Sequence, residues 1–317
     1  MQNLSYFYPV KKVLIAAPIS DLFKQWLTEN NYQLIDYDAN YLSNSQDNDL
    51  IDGIITSNKL RLDKFLLEKF VQLKWIARLG SGMEIIDTAY CNENNIFYAS
   101  SPHGISNAVG EHAIGMLLNL IHKISSSFTE IKNGKWIREP NRGIELENQT
   151  VGIIGYGHTG SAFANKLSVF TNQILVYDKY KIGFGNNAIQ EVSLEELQLK
   201  SDIISFHVPL NDETKYYYSH AFIEAMQKNH IFINTSRGGV ADTNAILSGL
   251  ASGKIKGACL DVLDEEHSIQ TILEQPLNIV HDLLKFNVII TPHIAGYSFN
   301  AIEKMSAELM SQLGSKI

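Results

Sequence analysis

The sequence predicts an α/β protein built as two doubly wound parallel-sheet domains, and three observations carry that expectation. A chain of 317 residues exceeds one ordinary core and fits two domains at roughly 150 residues each. Short apolar runs alternate with amphipathic stretches along nearly all of it, the pattern of strands and helices taking turns. Finally, VGIIGYGHTGSAFANKL, beginning at Val151, sets three glycines where an apolar strand gives way to a helical pattern.

The first hundred residues read, in order, as KVLIAAP, DLFKQWLTENN, YQLIDYD, DGIITS, DKFLLEKF, LKWIARLGS, IDTAYCNENN and IFYASSP, strands separated by amphipathic segments. From Ser106, the segment SNAVGEHAIGMLLNLIHKISSSFTEIKNG keeps apolar residues at helical spacing over several turns and is a candidate bridge between domains. From Thr150 the alternation resumes: TVGIIGYG, SAFANKLSVF, QILVYDK, LEELQLK, DIISFHVP, HAFIEAMQ, IFINTS, TNAILSGLASG, KGACLDVL and NVIITPH. The tail NAIEKMSAELMSQLGSKI is one amphipathic helix with no place in the second sheet, so it is expected to return to the first domain. The expected boundaries are 1–101, completed by 298–317, for one domain and 102–297 for the other.

Composition excludes several classes. The chain is 45% apolar and 19% charged, the profile of a folded soluble protein. Its net charge is −8 without any long Lys/Arg run, which argues against a nucleic-acid partner. Cys91 and Cys259 stand far apart with no C-x-x-C, so neither a disulfide framework nor a thiolate metal site is expected and a reducing cytoplasm fits. No H-E-x-x-H or comparable spacing suggests a metal. The N-terminal stretch MQNLSYFYPVKKVLIAAP reads as a buried strand rather than a signal sequence, and no window is long enough to span a membrane.

Gly155, Gly157 and Gly160 form G-x-G-x-x-G in the context that a dinucleotide requires. The first glycine permits the turn, the second admits a pyrophosphate to the backbone N–H groups, and the third lets helix and strand pack. The following strand QILVYDK ends in Asp178, placed to accept hydrogen bonds from the adenosine ribose hydroxyls. A 2′-phosphate there would be repelled by about 4 kcal/mol per unit charge at ~4 Å and an effective dielectric near 20. NAD is therefore expected over NADP.

In parallel sheets the ligand crevice lies beyond the carboxyl ends of the strands. IFINTSRGG puts Arg237 there, GACLDVLDEEH puts Asp261 and Glu266 there, and VIITPHIAG puts His293 there. Reduction of a 2-oxo acid by a nicotinamide needs a proton donor, a cation for the carboxylate and carbonyl, and a group that tunes the donor. His293, Arg237 and Glu266 are of those types in that order. His158 within the glycine loop and His207 at a strand end are read as lining a cofactor cleft. His112, His122, His220, His230 and His281 are read as structural.

With RLGSGMEIID, SPHGISNAVGEH, GIIGYGHTG, FHVPLNDETK, INTSRGG, GACLDVLDEE and TPHIAG in this order, the chain resembles the D-isomer-specific 2-hydroxyacid dehydrogenase family nearly end to end, including its short phosphoglycerate dehydrogenase-like members. The resemblance implies a Rossmann NAD-binding domain, a smaller flavodoxin-like substrate domain, and Arg237, Glu266 and His293 as the catalytic set. It implies His158 and Thr159 at the pyrophosphate, Asp261 at the nicotinamide carboxamide, and Thr235, Ser236, Pro209, Thr214, His207 and Gly296 along the cofactor. It places the substrate carboxylate on Ser81, Gly82 and Met83, with Arg237 opposite. A cytoplasmic homodimer acting on a small 2-hydroxy or 2-oxo acid is implied, with glyoxylate, hydroxypyruvate and 3-phosphoglycerate or 3-phosphohydroxypyruvate as substrate candidates. The alternative is an NAD(H)-sensing, corepressor-like binding protein of the same fold. Two departures stand out: Glu266 is followed by His267 rather than proline, and IITSNKLR shows no arginine before the first-domain turn, where many phosphoglycerate enzymes place one. Lys59, Arg61, Arg78 and Arg142 are candidate substitutes or solvated surface charges.

Overall fold

The computed structural model describes residues 10–38, 48–58, 60–264, 278–314 and 316. The chain divides into two compact units, Met1–Ile105 with Phe299–Ile317, and Ser106–Ser298. Each holds one wholly parallel sheet, the fold class expected.

In the first unit β1 (Lys11–Ala16), β2 (Tyr32–Asp36), β3 (Ile51–Thr56), β4 (Trp75–Arg78) and β5 (Phe97–Ser100) lie in the order β2-β1-β3-β4-β5. The order reverses between β1 and β3, as in a doubly wound sheet. All of β3 and β4 is buried, consistent with helices on both faces. Gly53 is dictated by packing: a Cβ there would come within 2.2 Å of the Trp75 ring. Trp75 is itself fully buried and donates its indole N–H to Tyr32 Oη at 3.1 Å.

Helices α1 (Asp21–Glu29), α2 (Lys64–Leu67) and α3 (Thr88–Glu93) each begin with a side-chain cap, from Ser20, Asp63 and Asp87, satisfying N–H groups that the first turn leaves without partners. The core gathers Leu14, Ile51, Ile54, Leu67 and Ile76, each worth about 1.5–3 kcal/mol on burial. The long helix α4 (Pro102–Ile121) and the last helix, α11 (Phe299–Leu313), meet in this unit. Ser306 Oγ accepts the Ser20 N–H at 3.1 Å, Glu308 accepts the Gly104 N–H at 2.8 Å, and Gln312 donates to the Ser100 carbonyl at 2.9 Å.

The division between units falls inside α4. In the second unit β6 (Val151–Ile154), β7 (Ile174–Tyr177), β8 (Ile189–Glu191), β9 (Ile203–Phe206), β10 (His230–Asn234), β11 (Ile255–Leu260) and β12 (Val288–Ile290) are ordered β12-β11-β10-β9-β6-β7-β8. The reversal lies between β6 and β9, and their registered pairs run from Val151–Ile203 to Ile154–Phe206. Helix α6 (His158–Leu167), with α7 (Leu194–Lys200), α8 (His220–Ala225), α9 (Thr243–Ala251) and α10 (Ile279–Leu283), covers the faces. The apolar stripe of α4, including Val109, Ala113, Met116, Leu117 and Leu120, is buried and packs with Ile153, Phe163 and Ile203. A second helix, α5 (Ile124–Lys132), follows α4. Among the described residues no helix is long and apolar enough to cross a membrane.

Candidate active site

Because the strands of the second unit are parallel, the residues following β6, β7, β9, β10, β11 and β12 share one sheet edge, around the β6/β9 reversal. The three glycines there answer to three different constraints. Gly155 takes φ +92°, and a Cβ on it would meet the His207 carbonyl at 2.4 Å. A Cβ on Gly160 would stand 2.0 Å from the Gly155 carbonyl, so close helix–strand packing needs glycine. Gly157 is different: nothing lies within 4 Å of where its Cβ would be, and its φ of −79° suits any residue. Gly157, the N-cap of α6, brings no side-chain cap of its own, and the positive end of the helix dipole suits a ligand anion. His158 and Thr159 form the first turn.

Asp178, just past β7, holds this loop from the side. Its Oδ2 accepts the Tyr156 N–H at 2.7 Å, and its Oδ1 accepts those of Tyr180 and Lys181 at 2.9 and 3.0 Å. Burial alone would raise its pKa and is the largest single influence; the three N–H donors and the Lys181 charge outweigh it and hold the carboxyl below its ordinary range. The neighbouring lysines are engaged: Lys181 Nζ donates to the Tyr156 carbonyl at 2.9 Å and Lys179 Nζ to Glu213 at 2.8 Å.

His207 follows β9 and is buried. Its Nε2 lies 2.8 Å from Ser205 Oγ, while Nδ1 is buried without a partner among the described residues. Burial lowers its pKa to about 3, so the ring is neutral. Thr235, after β10, likewise has a buried Oγ1 with no partner among the described residues. Ser236 is turned toward the fold, donating from N and Oγ to Asn234 Oδ1 at 3.0 and 2.7 Å. Thr214 Oγ1 donates to the Pro209 carbonyl at 2.5 Å and closes the loop between them.

Arg237 is half-buried and donates to the Ser236 carbonyl at 2.7 Å, while its own carbonyl accepts from Asn234 Nδ2 at 3.0 Å. Gly238 brings this loop against the segment leading out of β11, since a Cβ on it would lie 1.8 Å from the Leu263 carbonyl. That segment carries Asp264, whose Oδ2 accepts from Tyr216 Oη at 2.6 Å. Glu266, like Lys59, lies outside the described residues.

Asp261 is only 1% exposed. Oδ1 accepts from Thr291 Oγ1 at 2.6 Å and the Ile294 N–H at 2.9 Å, and Oδ2 accepts the Ala295 N–H at 2.8 Å. The Asp261 carbonyl also takes the His293 N–H at 2.8 Å. Asp261 thus organises the turn that presents His293 and Gly296. His293 sits at φ +55°, a conformation costing a non-glycine residue roughly 1–2 kcal/mol and sustained by those bonds. Arg237 and His293 follow β10 and β12, strands separated only by β11 and so roughly 10 Å apart.

In the first unit, Ser81, Gly82 and Met83 follow β4. Arg78 is 3% exposed, which corrects its reading as a surface charge or phosphate ligand. It donates to the carbonyls of Gly82 at 3.0 Å and Leu79 at 2.5 Å and to Asn58 Oδ1 at 2.6 Å. With the Gly82 carbonyl turned onto the guanidinium, the trans peptide directs the Met83 N–H the opposite way. Gly80, at φ +135°, donates to Ser101 Oγ at 3.0 Å. Arg142 is exposed and pairs with Glu139 at 2.6 Å.

The second unit therefore brings the glycine loop, Asp178, His207, Thr235, Arg237, Asp261 and His293 to one edge. The orphaned polar atoms of His207 and Thr235, the open approach at Gly157 and the N-terminus of α6 fit a dinucleotide. Two residues were not legible as site members: His112, whose Nε2 lies 3.0 Å from Thr291 Oγ1, and Thr291 itself. The only sequence signal for His112 is its place in GEH.

Comparison with known proteins agrees with the fold and with a nucleotide-binding second unit. Residues 114–295 match the family model for the NAD binding domain of D-isomer specific 2-hydroxyacid dehydrogenases. A glyoxylate reductase from Thermofilum pendens is 33% identical over 279 residues, covering 86% of this chain and 78% of that one. A hydroxypyruvate reductase from Thermotoga maritima is 30% identical over 263 residues, covering 83% and 84%. The crystal structure of D-lactate dehydrogenase from Aquifex aeolicus, complexed with NAD and lactic acid, superposes with a TM-score of 0.82 at 28% identity, covering 96% of this chain and 95% of that one.

Proposed function

We propose, from the premise that this chain belongs to the D-isomer specific 2-hydroxyacid dehydrogenase family, that it is an NAD-dependent oxidoreductase reducing a small unphosphorylated 2-oxo acid such as glyoxylate or hydroxypyruvate. The observation that carries the reading is the single sheet edge on which a glycine loop, an arginine and a histidine follow β6, β10 and β12. Bound NADH supplies a hydride to C2 of the oxo acid. The chain does the rest. Arg237 binds the carboxylate with its planar fork and polarises the carbonyl. His293 gives its proton to the carbonyl oxygen as the alkoxide develops, and in the reverse direction takes it back. Glu266 completes the catalytic set on the strength of its motif. The successive amides at Ser81, Gly82 and Met83, after β4 of the first unit, are of the kind that receives a carboxylate as an anion nest.

The glycine-loop amides and the N-terminus of α6 hold the pyrophosphate, and Asp178 takes the ribose hydroxyls, favouring NAD. The unphosphorylated substrate is supported by the burial of Arg78, which removes one candidate phosphate ligand. A homodimer is supported by exposed apolar side chains at Ile124, Phe128, Ile131 and Trp136, which cluster in sequence after α4 and have the character of an interface. Two buried free cysteines support a cytoplasmic setting.

The test is a panel of glyoxylate, hydroxypyruvate, pyruvate and 3-phosphohydroxypyruvate assayed by NADH and NADPH oxidation. Consumption of NADH with the unphosphorylated acids is expected. Tight NADH binding with no consumption on any acid would favour the sensor.

A further inference from the structure

The assignment of His293 as proton donor leaves open what keeps it in place, and the second unit contains a partly buried hydrogen-bonded chain that leads to it. Thr291 Oγ1 stands 2.6 Å from Asp261 Oδ1 and 3.0 Å from His112 Nε2. A carboxylate can only accept, and a hydroxyl has one proton. Thr291 therefore donates to Asp261 and must accept from His112, which fixes the proton of His112 on Nε2. His112 Nε2 is also 3.6 Å from Asp261 Oδ1. From Asp261 the chain continues into the backbone of the turn, through the N–H groups of Ile294 and Ala295 on the carboxylate and of His293 on the carbonyl.

His112 is a fixed point. It projects from α4, whose neighbouring Ala113, Met116 and Leu117 are buried in the core, and Met116 Sδ lies 3.7 Å from Thr291 Oγ1. On the same helix, Gly110 lies so close to α6 that a Cβ would come within 3.1 Å of the Ala162 backbone. One rigid helix thus braces both the glycine-loop helix and the His293 turn, and the turn holds a histidine at positive φ that would relax without support.

We infer that His112, acting through Thr291 and Asp261, is a positioning residue for His293, setting the donor's geometry without touching substrate. This rests on the reading of His293 as the proton donor, so His293→Ala is run alongside. The test compares His112→Phe, His112→Gln and Thr291→Val with the wild-type chain in steady-state reduction of glyoxylate, with NADH affinity by fluorescence and folded fraction by near-UV circular dichroism. His112→Phe, which cannot donate, is expected to lower kcat about tenfold while KM for glyoxylate and NADH affinity stay within about twofold, because a misplaced donor hurts the transition state rather than binding. His112→Gln, which restores a donor, is expected to recover most of that loss. The double variant of His112→Phe with Thr291→Val should be no slower than Thr291→Val alone, since both break one chain. Wild-type kcat in both His112→Phe and Thr291→Val, additive losses in the double variant, or a loss matched by the loss of folded protein would each overturn the inference. Full activity of His293→Ala would instead overturn the reading it rests on.

Discussion

Replacing Asp178 by asparagine separates the charge of this side chain from its shape. In the wild-type protein its two oxygens accept three backbone N–H groups, one on Oδ2 and two on Oδ1. An asparagine presents one carbonyl oxygen and one NH2, so at least one of those N–H groups faces a donor. Leaving such a group unsatisfied costs about 1–3 kcal/mol, and the half-buried position of Asp178 puts the loss near 1 kcal/mol. The kcat/KM with NADH is expected to fall about fivefold to tenfold. With NADPH the balance reverses. A 2′-phosphate of charge about −1.5 to −2 near the carboxylate is repelled by about 4 kcal/mol per unit charge at an effective dielectric near 20. Solvent at a half-exposed group screens most of that, leaving about 3 kcal/mol, or roughly a hundredfold. Lys179 adds little relief, because it is paired with Glu213. Initial rates over a range of each nucleotide measure the outcome. The ratio of kcat/KM for NADPH to that for NADH is expected to rise by about two orders of magnitude. A ratio within about threefold of wild type would refute the electrostatic reasoning.

Four further outcomes follow. Burial lowers the pKa of His207 to about 3 and of His230 to about 4, below the ordinary value near 6.5. The unfolded chain therefore takes up these protons first, and stability present above pH ~6.5 is lost as pH falls toward those values, by about 4 kcal/mol for the pair at pH 5. Urea unfolding across that range checks it, and His230→Gln should roughly halve the slope. Gly157→Ala meets no protein atom within 4 Å, so it is expected to change stability by less than about 0.5 kcal/mol while weakening NADH binding at least about tenfold. Gly238→Ala drives a Cβ to 1.8 Å from the Leu263 carbonyl and should cost at least about 2 kcal/mol, read by thermal unfolding. Phe128→Asp with Ile131→Asp is expected to turn a dimer into a monomer in sedimentation velocity; a wild-type chain that is already monomeric would remove the dimer proposal.

The parts legible in the sequence are those fixed by local backbone demands. G-x-G-x-x-G could be read because two of its glycines answer to sub-contact approaches, at Gly155 and Gly160, and the third, Gly157, to none within the protein. Strand-end polar residues could be read because a parallel sheet puts the ends of its strands on one side. What could not be read is non-local. Asp178 braces the glycine loop through an N–H twenty-two residues earlier, a contact with a backbone group that no residue type advertises. Arg78 looked like a surface charge until the fold wrapped the Leu79 and Gly82 carbonyls around it. His112 read as structural because its partner, Thr291, is 179 residues away. The apolar face of α4, legible only as helical spacing, packs inside the chain, and the exposed apolar residues come after it.

The central claim is that His293 supplies the proton while a bound nicotinamide nucleotide supplies the hydride. Its most direct test is turnover of NADH with glyoxylate or hydroxypyruvate by the wild-type chain and by His293→Ala, with NADH affinity measured on both. Expected are steady oxidation by the wild type and, in the variant, a kcat lower by at least about two orders of magnitude with nucleotide affinity nearly intact. Equal turnover by the two proteins would contradict the account.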